Sequence, residues 1–184
     1  DKFFDRLTDA PIIFYTKGID IEWREYVMFS VGDRIVYPMQ GAGVIQDIEE
    51  KRILGESKQY YILRLPCSDI NIMIPVDSGE SIGIREVSAR EEMEDVLRLL
   101  GDESTPMDSN WNRRYRENMA KLKSGDIRQV AEVVRNLVRN DREKKLSTGE
   151  RKLLTGARRI LVSELILSMD ISQDEAEAMV EAAI

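Results

Sequence analysis

The hydrophobic period of this chain changes near Ser88, and no single element type accommodates both halves. Before that point the apolar residues fall in short runs: DRIVYP, GVIQDIEE, QYYILRLP, INIMIPV and SIGIREV. These runs are rich in β-branched and aromatic residues and are parted by Gly, Pro, Ser and Asp, the pattern of strands joined by turns. After that point apolar residues recur every third or fourth position, as one face of a helix requires. The chain is therefore expected to be α+β with two domains. A small β-barrel or strongly bent sheet over 28–87 precedes an all-α domain over 88–184.

Within the second half the spacing predicts helices over 89–100, 110–123, 126–145 and 148–169. A last helix carries Ala176, Met179, Val180 and Ala183 on a narrow stripe. Three Ser-x-x-Glu sequences, Ser88…Glu91, Ser147…Glu150 and Ser172…Glu175, have the form of capping boxes at helix starts. The segment GDESTPMDS at 101–109 reads as a loop. Residues 1–27 lack a clear period. Met28, followed at once by strand pattern, is read as a natural start, with 1–27 as an extension to which no role is assigned.

Composition removes several function classes. There is no histidine and one cysteine, Cys67, so zinc sites, Cys–His pairs, Ser–His pairs and an internal disulfide are all excluded. No apolar run approaches the ~20 residues that span a bilayer. The glycine-rich phosphate loops and the GxSxG nucleophile turn are missing, and Glu49–Glu50 and Glu91–Glu92 sit in solvated contexts. The expectation is a cytoplasmic protein that is not an enzyme, with no catalytic residue, metal or cofactor.

Charge is unevenly placed. The chain carries a formal −7, yet residues 111–160 hold 15 Lys or Arg against 6 Asp or Glu, a net of +9. The asymmetry points to a polyanion met by one segment only. Acids outnumber cations over 28–87, which makes the β half a poor nucleic-acid platform. That observation weighs against the alternative of a stand-alone RNA-binding module.

The densest cations surround one tryptophan, in NWNRRYRENMAKLKSGD at 110–126. Trp111, Tyr115, Met119 and Leu122 form a helical stripe, so Trp111 reads equally as its first core residue or as an indole projecting from the first turn. In the second case Arg113, Arg114, Arg116 and Lys123 lie near enough to meet phosphates while the ring stacks on an unpaired base. Spacing alone leaves both open.

Two longer stretches carry a resemblance. VGDRIVYPMQGAGVIQDIE, with ILGESKQYYIL and IPVD after it, resembles the amino-terminal domain of the CarD/CdnL family of bacterial transcription regulators. NWNRRYRENMAKLKSGDIRQVAEVVRNLVRNDREKKLSTGERKLLTGARRILVSELIL resembles that family's helical domain. The likeness runs from 28 to about 169. It implies a Tudor-like barrel that binds the RNA polymerase β subunit, and a helical domain that contacts promoter DNA at the upstream edge of the transcription bubble, largely independently of sequence. It also implies that Trp111 is a wedge in the minor groove and that Arg113, Arg116 and Arg151 face DNA. The polymerase-contacting strands match the surroundings of Lys51 and Met73, where some family members carry arginine. The protein expected is thus a monomeric regulator that stabilises the open promoter complex.

Overall fold

The computed structural model describes residues 29–53, 55–68 and 70–184. The expectations for 1–27 and Met28 fall outside the described residues. The first half is an antiparallel sheet of β1 (Arg34–Tyr37), β2 (Gly41–Ile53), β3 (Glu56–Arg64), β4 (Asn71–Pro75) and β5 (Arg85–Glu86), in the order β4-β3-β2-β1-β5. A short helix, α1 (Gly79–Ile82), lies between β4 and β5. One face of the sheet buries Ile35, Ile45, Tyr61, Leu63 and Ile74 with Phe29. Tyr61 is core: its ring meets Phe29 edge-on and its hydroxyl accepts the Phe29 N–H at 3.1 Å. A bulge between Ile45 and Asp47 re-sets the alternation along the long β2.

The second half contains α2 (Arg90–Gly101), α3 (Trp111–Lys123), α4 (Ile127–Glu143), α5 (Thr148–Met169) and α6 (Gln173–Ala183). The first four lie within two residues of the ranges expected from spacing, and α6 carries the stripe of Ala176, Met179, Val180 and Ala183. Their apolar faces close one core around Val130, Val134, Leu137, Leu153, Leu161 and Leu165. Arginines complete the end of α2. Arg135 donates to Leu99 O at 3.0 Å, and Arg139 to Leu100 O at 3.0 Å and Gly101 O at 3.3 Å. They thereby satisfy carbonyls that a helix C-terminus leaves open.

Two local expectations are corrected. SIGIREV has the pattern of a full fifth strand, but Gly79–Ile82 form α1, and only Arg85–Glu86 pair with β1. Gly83, at φ +81°, ends that turn, and Ile82 and Ile84 pack against the sheet core, so burial overrides the strand pattern. The Ser88…Glu91 capping box is not made. Ala89 is the N-cap of α2 and has no side-chain bond to offer, and the Ser88 N–H is donated to Glu164 at 2.9 Å. The other two boxes are formed, at α5 and α6.

The two halves meet along α5. Gly41 has φ +110° and no room for a side chain, since a Cβ there would lie 2.5 Å from Ser163 Oγ. This close approach lets the Ala42 N–H donate to Ser163 Oγ at 2.9 Å. Arg85 grips the buried Glu164 with both arms, at 2.7 and 2.9 Å, and Arg34 pairs with Asp170 at 2.7 Å.

Candidate nucleic-acid interface

Trp111 opens α3. Asn110 caps that helix by accepting the Arg113 N–H at 3.2 Å, so the indole leaves from the first turn, outside the packed stripe. It is 43% exposed, whereas Leu122, three turns on, is buried. Trp111 therefore does not sit in the core. It is nevertheless tightly placed. Its ring stacks on Tyr115 with centroids 5.5 Å apart and planes at 23°. Its Nε1–H donates to Ser147 Oγ at 2.9 Å. Gly149 lies beneath it, with little room for more than hydrogen: a Cβ there would come to 3.3 Å from Trp111 Cζ2.

Ser147 and Glu150 are the start of α5. Ser147 Oγ donates to Glu150 Oε2 at 2.7 Å and accepts the Glu150 N–H at 3.3 Å. The buried Glu150 also accepts Arg114 Nε at 2.8 Å. Burial pushes the Glu150 carboxyl up, but the hydrogen bonds from Ser147 and Arg114 outweigh it and hold the pKa below the ordinary value.

The arginines of this segment divide by role. Arg114 is 15% exposed; besides Glu150 it binds Asp108 O at 2.9 Å and Ser109 O at 3.3 Å. It clamps the loop that leads into Trp111 and presents little charge outward. Arg113 is 67% exposed, with one ion pair to Asp108 at 3.0 Å. Arg116 is exposed and reaches back to Asn112 O at 3.2 Å. Arg151 is exposed on the first turn of α5, donating to Leu146 O at 3.2 Å. Part of the +9 is internal: Arg135 and Arg139 cap α2, Lys121 pairs with Glu132 at 2.7 Å, and Arg158 pairs with Glu181.

In the sheet, the register puts Lys51 and Met73 on one face. Asp47, Ile62 and Met73 lie in one cross-strand row, Glu49, Tyr60 and Pro75 in the next, and Lys51 faces Lys58 in the β2–β3 hairpin. Lys51 pairs with Glu49 at 2.7 Å. Met73 is 48% exposed and lies on β4, an edge of the sheet. Among the described residues no helix is long and apolar enough to cross a membrane.

Known proteins match both halves in this order. Residues 29–88 match the family described as CarD-like/TRCF RID domain, and residues 95–181 match CarD, C-terminal domain. The chain belongs to the CarD family. It is 38% identical over 151 residues to the putative transcription factor YdeB of Bacillus subtilis (strain 168), a match spanning 82% of this chain and 99% of that relative. The family expectation and the fold expectation, a β module before a helical one, are both met. Trp111, Arg113, Arg116 and Arg151 fall within the part matched to the CarD C-terminal domain. Lys51 and Met73 fall within the part matched to the RID domain. Sequence reasoning missed Ser147 and Glu150 as partners of Trp111 and Arg114. The capping box was legible, but a bond across 36 residues was not.

Proposed function

We propose that this CarD-family protein acts in the bacterial cytoplasm as a regulator that docks on RNA polymerase through its sheet module. From there it holds the open promoter complex through α3 and the first turn of α5. The observation that carries the reading is Trp111: an indole 43% exposed at a helix start, fixed from behind, with Arg113, Arg116 and Arg151 also exposed on these two helix starts. A held aromatic offers its open π surface to an unstacked base, a contact worth about 1–3 kcal/mol. The neighbouring guanidiniums meet phosphates, which position the protein without reading sequence. Because a ligand shifts an equilibrium only by its differential affinity, binding the melted fork better than closed duplex lengthens the open state. Such a contact corresponds to roughly 5- to 150-fold in population.

The sheet module supplies the address. The β4 edge carries Met73 and outward backbone groups suited to strand pairing, and Lys51 shares its face. The polymerase β subunit is the partner this reading assigns. Arg114 serves the DNA contact from behind: its guanidinium is engaged internally and holds Glu150 and the 108–109 loop that leads into Trp111. The reading is tested by pull-down with bacterial RNA polymerase, followed by open-complex lifetime on a linear promoter with and without the protein. Retention with a longer lifetime supports it. Binding to RNA or free duplex without polymerase retention contradicts it.

A further inference from the structure

We propose that Ser147 is the positioning residue of the Trp111 indole: its hydroxyl holds the ring in the orientation that meets an unstacked base and occupies the only hydrogen-bond donor the ring has. This inference rests on the reading of Trp111 as the DNA-contacting group.

A serine hydroxyl has one hydrogen and two lone pairs. Ser147 uses all three: it donates to Glu150 Oε2 at 2.7 Å, accepts the Glu150 N–H at 3.3 Å, and accepts Trp111 Nε1–H at 2.9 Å. The same Ser-x-x-Glu box at α6 allows a comparison within one molecule. Ser172 donates to Glu175 Oε2 at 2.8 Å and accepts the Glu175 N–H at 3.2 Å, yet among the described residues it receives no third partner. The α5 box thus performs a second task that capping does not require. The hydroxyl cannot swing away from the indole without losing Glu150. Glu150 is itself tied to Arg114, and Arg114 to the carbonyls of Asp108 and Ser109 just ahead of Trp111. Tyr115 covers one face of the ring, and Gly149 lets the ring lie against the first turn of α5.

Two consequences follow for the nucleic-acid contact. With its N–H occupied, the indole meets a base through its π surface alone and has no donor with which to prefer one base edge over another. With its rotamer already fixed, it loses little freedom on binding, an advantage of roughly 2- to 10-fold in affinity for one immobilised side chain.

The experiment compares Ser147→Ala with Ser172→Ala in the full chain. Both remove an N-cap hydroxyl from the same kind of box, so both lower the melting temperature. Only Ser147→Ala is expected to speed solvent exchange of the Trp111 indole N–H, read by 15N NMR and assigned with Trp111→Phe. Only Ser147→Ala is expected to shorten the polymerase open-complex lifetime, by about 2- to 10-fold. Gly149→Ala leaves the cap hydroxyl in place and shifts the same indole resonance, because its methyl would meet Cζ2 at 3.3 Å. Equal lifetimes for the two serine variants, or an indole that stays protected in Ser147→Ala, overturn the positioning role. Trp111→Ala, run alongside, separates the two levels. If it leaves the lifetime unchanged, the DNA-contact reading fails and takes the role of Ser147 with it. If it shortens the lifetime while Ser147→Ala does not, only the positioning role fails.

Discussion

Arg85 of β5 and Glu164 of α5 form a two-pronged ion pair across the junction of the sheet and the helices, with N–O distances of 2.7 and 2.9 Å. Glu164 is fully buried, and it also takes the Ser88 N–H at 2.9 Å. Arg85 adds a bond from Nε to Gly125 O at 2.9 Å, which reaches the turn before α4. One carboxylate therefore ties together the last strand, the start of the helical half and α5. The link joins the β5 edge of the sheet to α5 and to the turn between α3 and α4.

Removing Arg85 leaves that carboxylate buried without its partner. Arg85→Ala is expected to cost roughly 3–5 kcal/mol, toward the lower end because Arg85 is partly exposed. Urea unfolding measures it. The double variant Arg85→Met with Glu164→Leu should recover much of the loss, since a buried ion pair is strongly destabilising mainly when half of it is removed. A double variant as unstable as Arg85→Ala would mean that the charge pair itself stabilises the junction.

The basic face should sort its arginines by exposure. Arg113→Glu, Arg116→Glu and Arg151→Glu are expected to weaken association with promoter complexes while leaving free polymerase binding and the melting temperature nearly unchanged. The salt slope of DNA association should fall by about 0.9 for each phosphate that is no longer neutralised. Arg114→Glu should behave differently. It sets a like charge beside the buried Glu150, so it should destabilise the helical half before any DNA is added. Equal melting temperatures across all four variants would contradict the division of roles.

Glu150 gives a pH dependence with a defined sign. Its folded pKa is held below the ordinary 4.5, so the native state binds fewer protons than the unfolded one. The stability it contributes is complete above about pH 4.5 and is lost as pH falls through the folded value. The charged and polar groups facing it are Arg114 from α3 and Ser147 at the α5 cap. The Trp111 indole signal is expected to stay constant from about pH 8 to about pH 5 and to change only below the usual carboxylate range. Glu150→Gln should flatten that change. A transition near neutral pH would contradict the assignment.

The β4 edge offers a separate test of the polymerase side. Met73 is half-exposed and faces outward with Lys51, so Met73→Glu should leave folding nearly unaffected, within about 0.5 kcal/mol. It should reduce polymerase retention. Unimpaired retention would move the docking surface away from this face.

Much of the fold was legible because it rests on local rules. The change of period at Ser88 separates sheet from the main helices, and the helical stripes mark α2 to α5 to within two residues. What the sequence concealed is tertiary competition for local groups. Ser88 looks like an N-cap, but the distant Glu164 takes its N–H. SIGIREV has strand composition, but its isoleucines are drawn onto the sheet core from a helical turn. In the site, the exposure of Trp111 was undecidable from a stripe that continues into the core at Leu122. The partners of Arg114 were invisible because Glu150 lies 36 residues away. Net charge also carried a tertiary part: several of the cations in 111–160 serve helix ends and ion pairs within the fold.

The central claim is that Trp111 is a held but outward-facing contact to melted DNA, and Trp111→Ala tests it most directly. The variant is measured by thermal melting and by open-complex lifetime with polymerase on a linear promoter. A half-exposed indole that loses one stack and one hydrogen bond should cost about 2 kcal/mol, against roughly 3–5 kcal/mol for a buried aromatic. The account predicts a small shift in melting temperature, intact polymerase binding, and a lifetime that falls to that of polymerase alone. A large drop in melting temperature, or a lifetime equal to that of the unaltered protein, would contradict it.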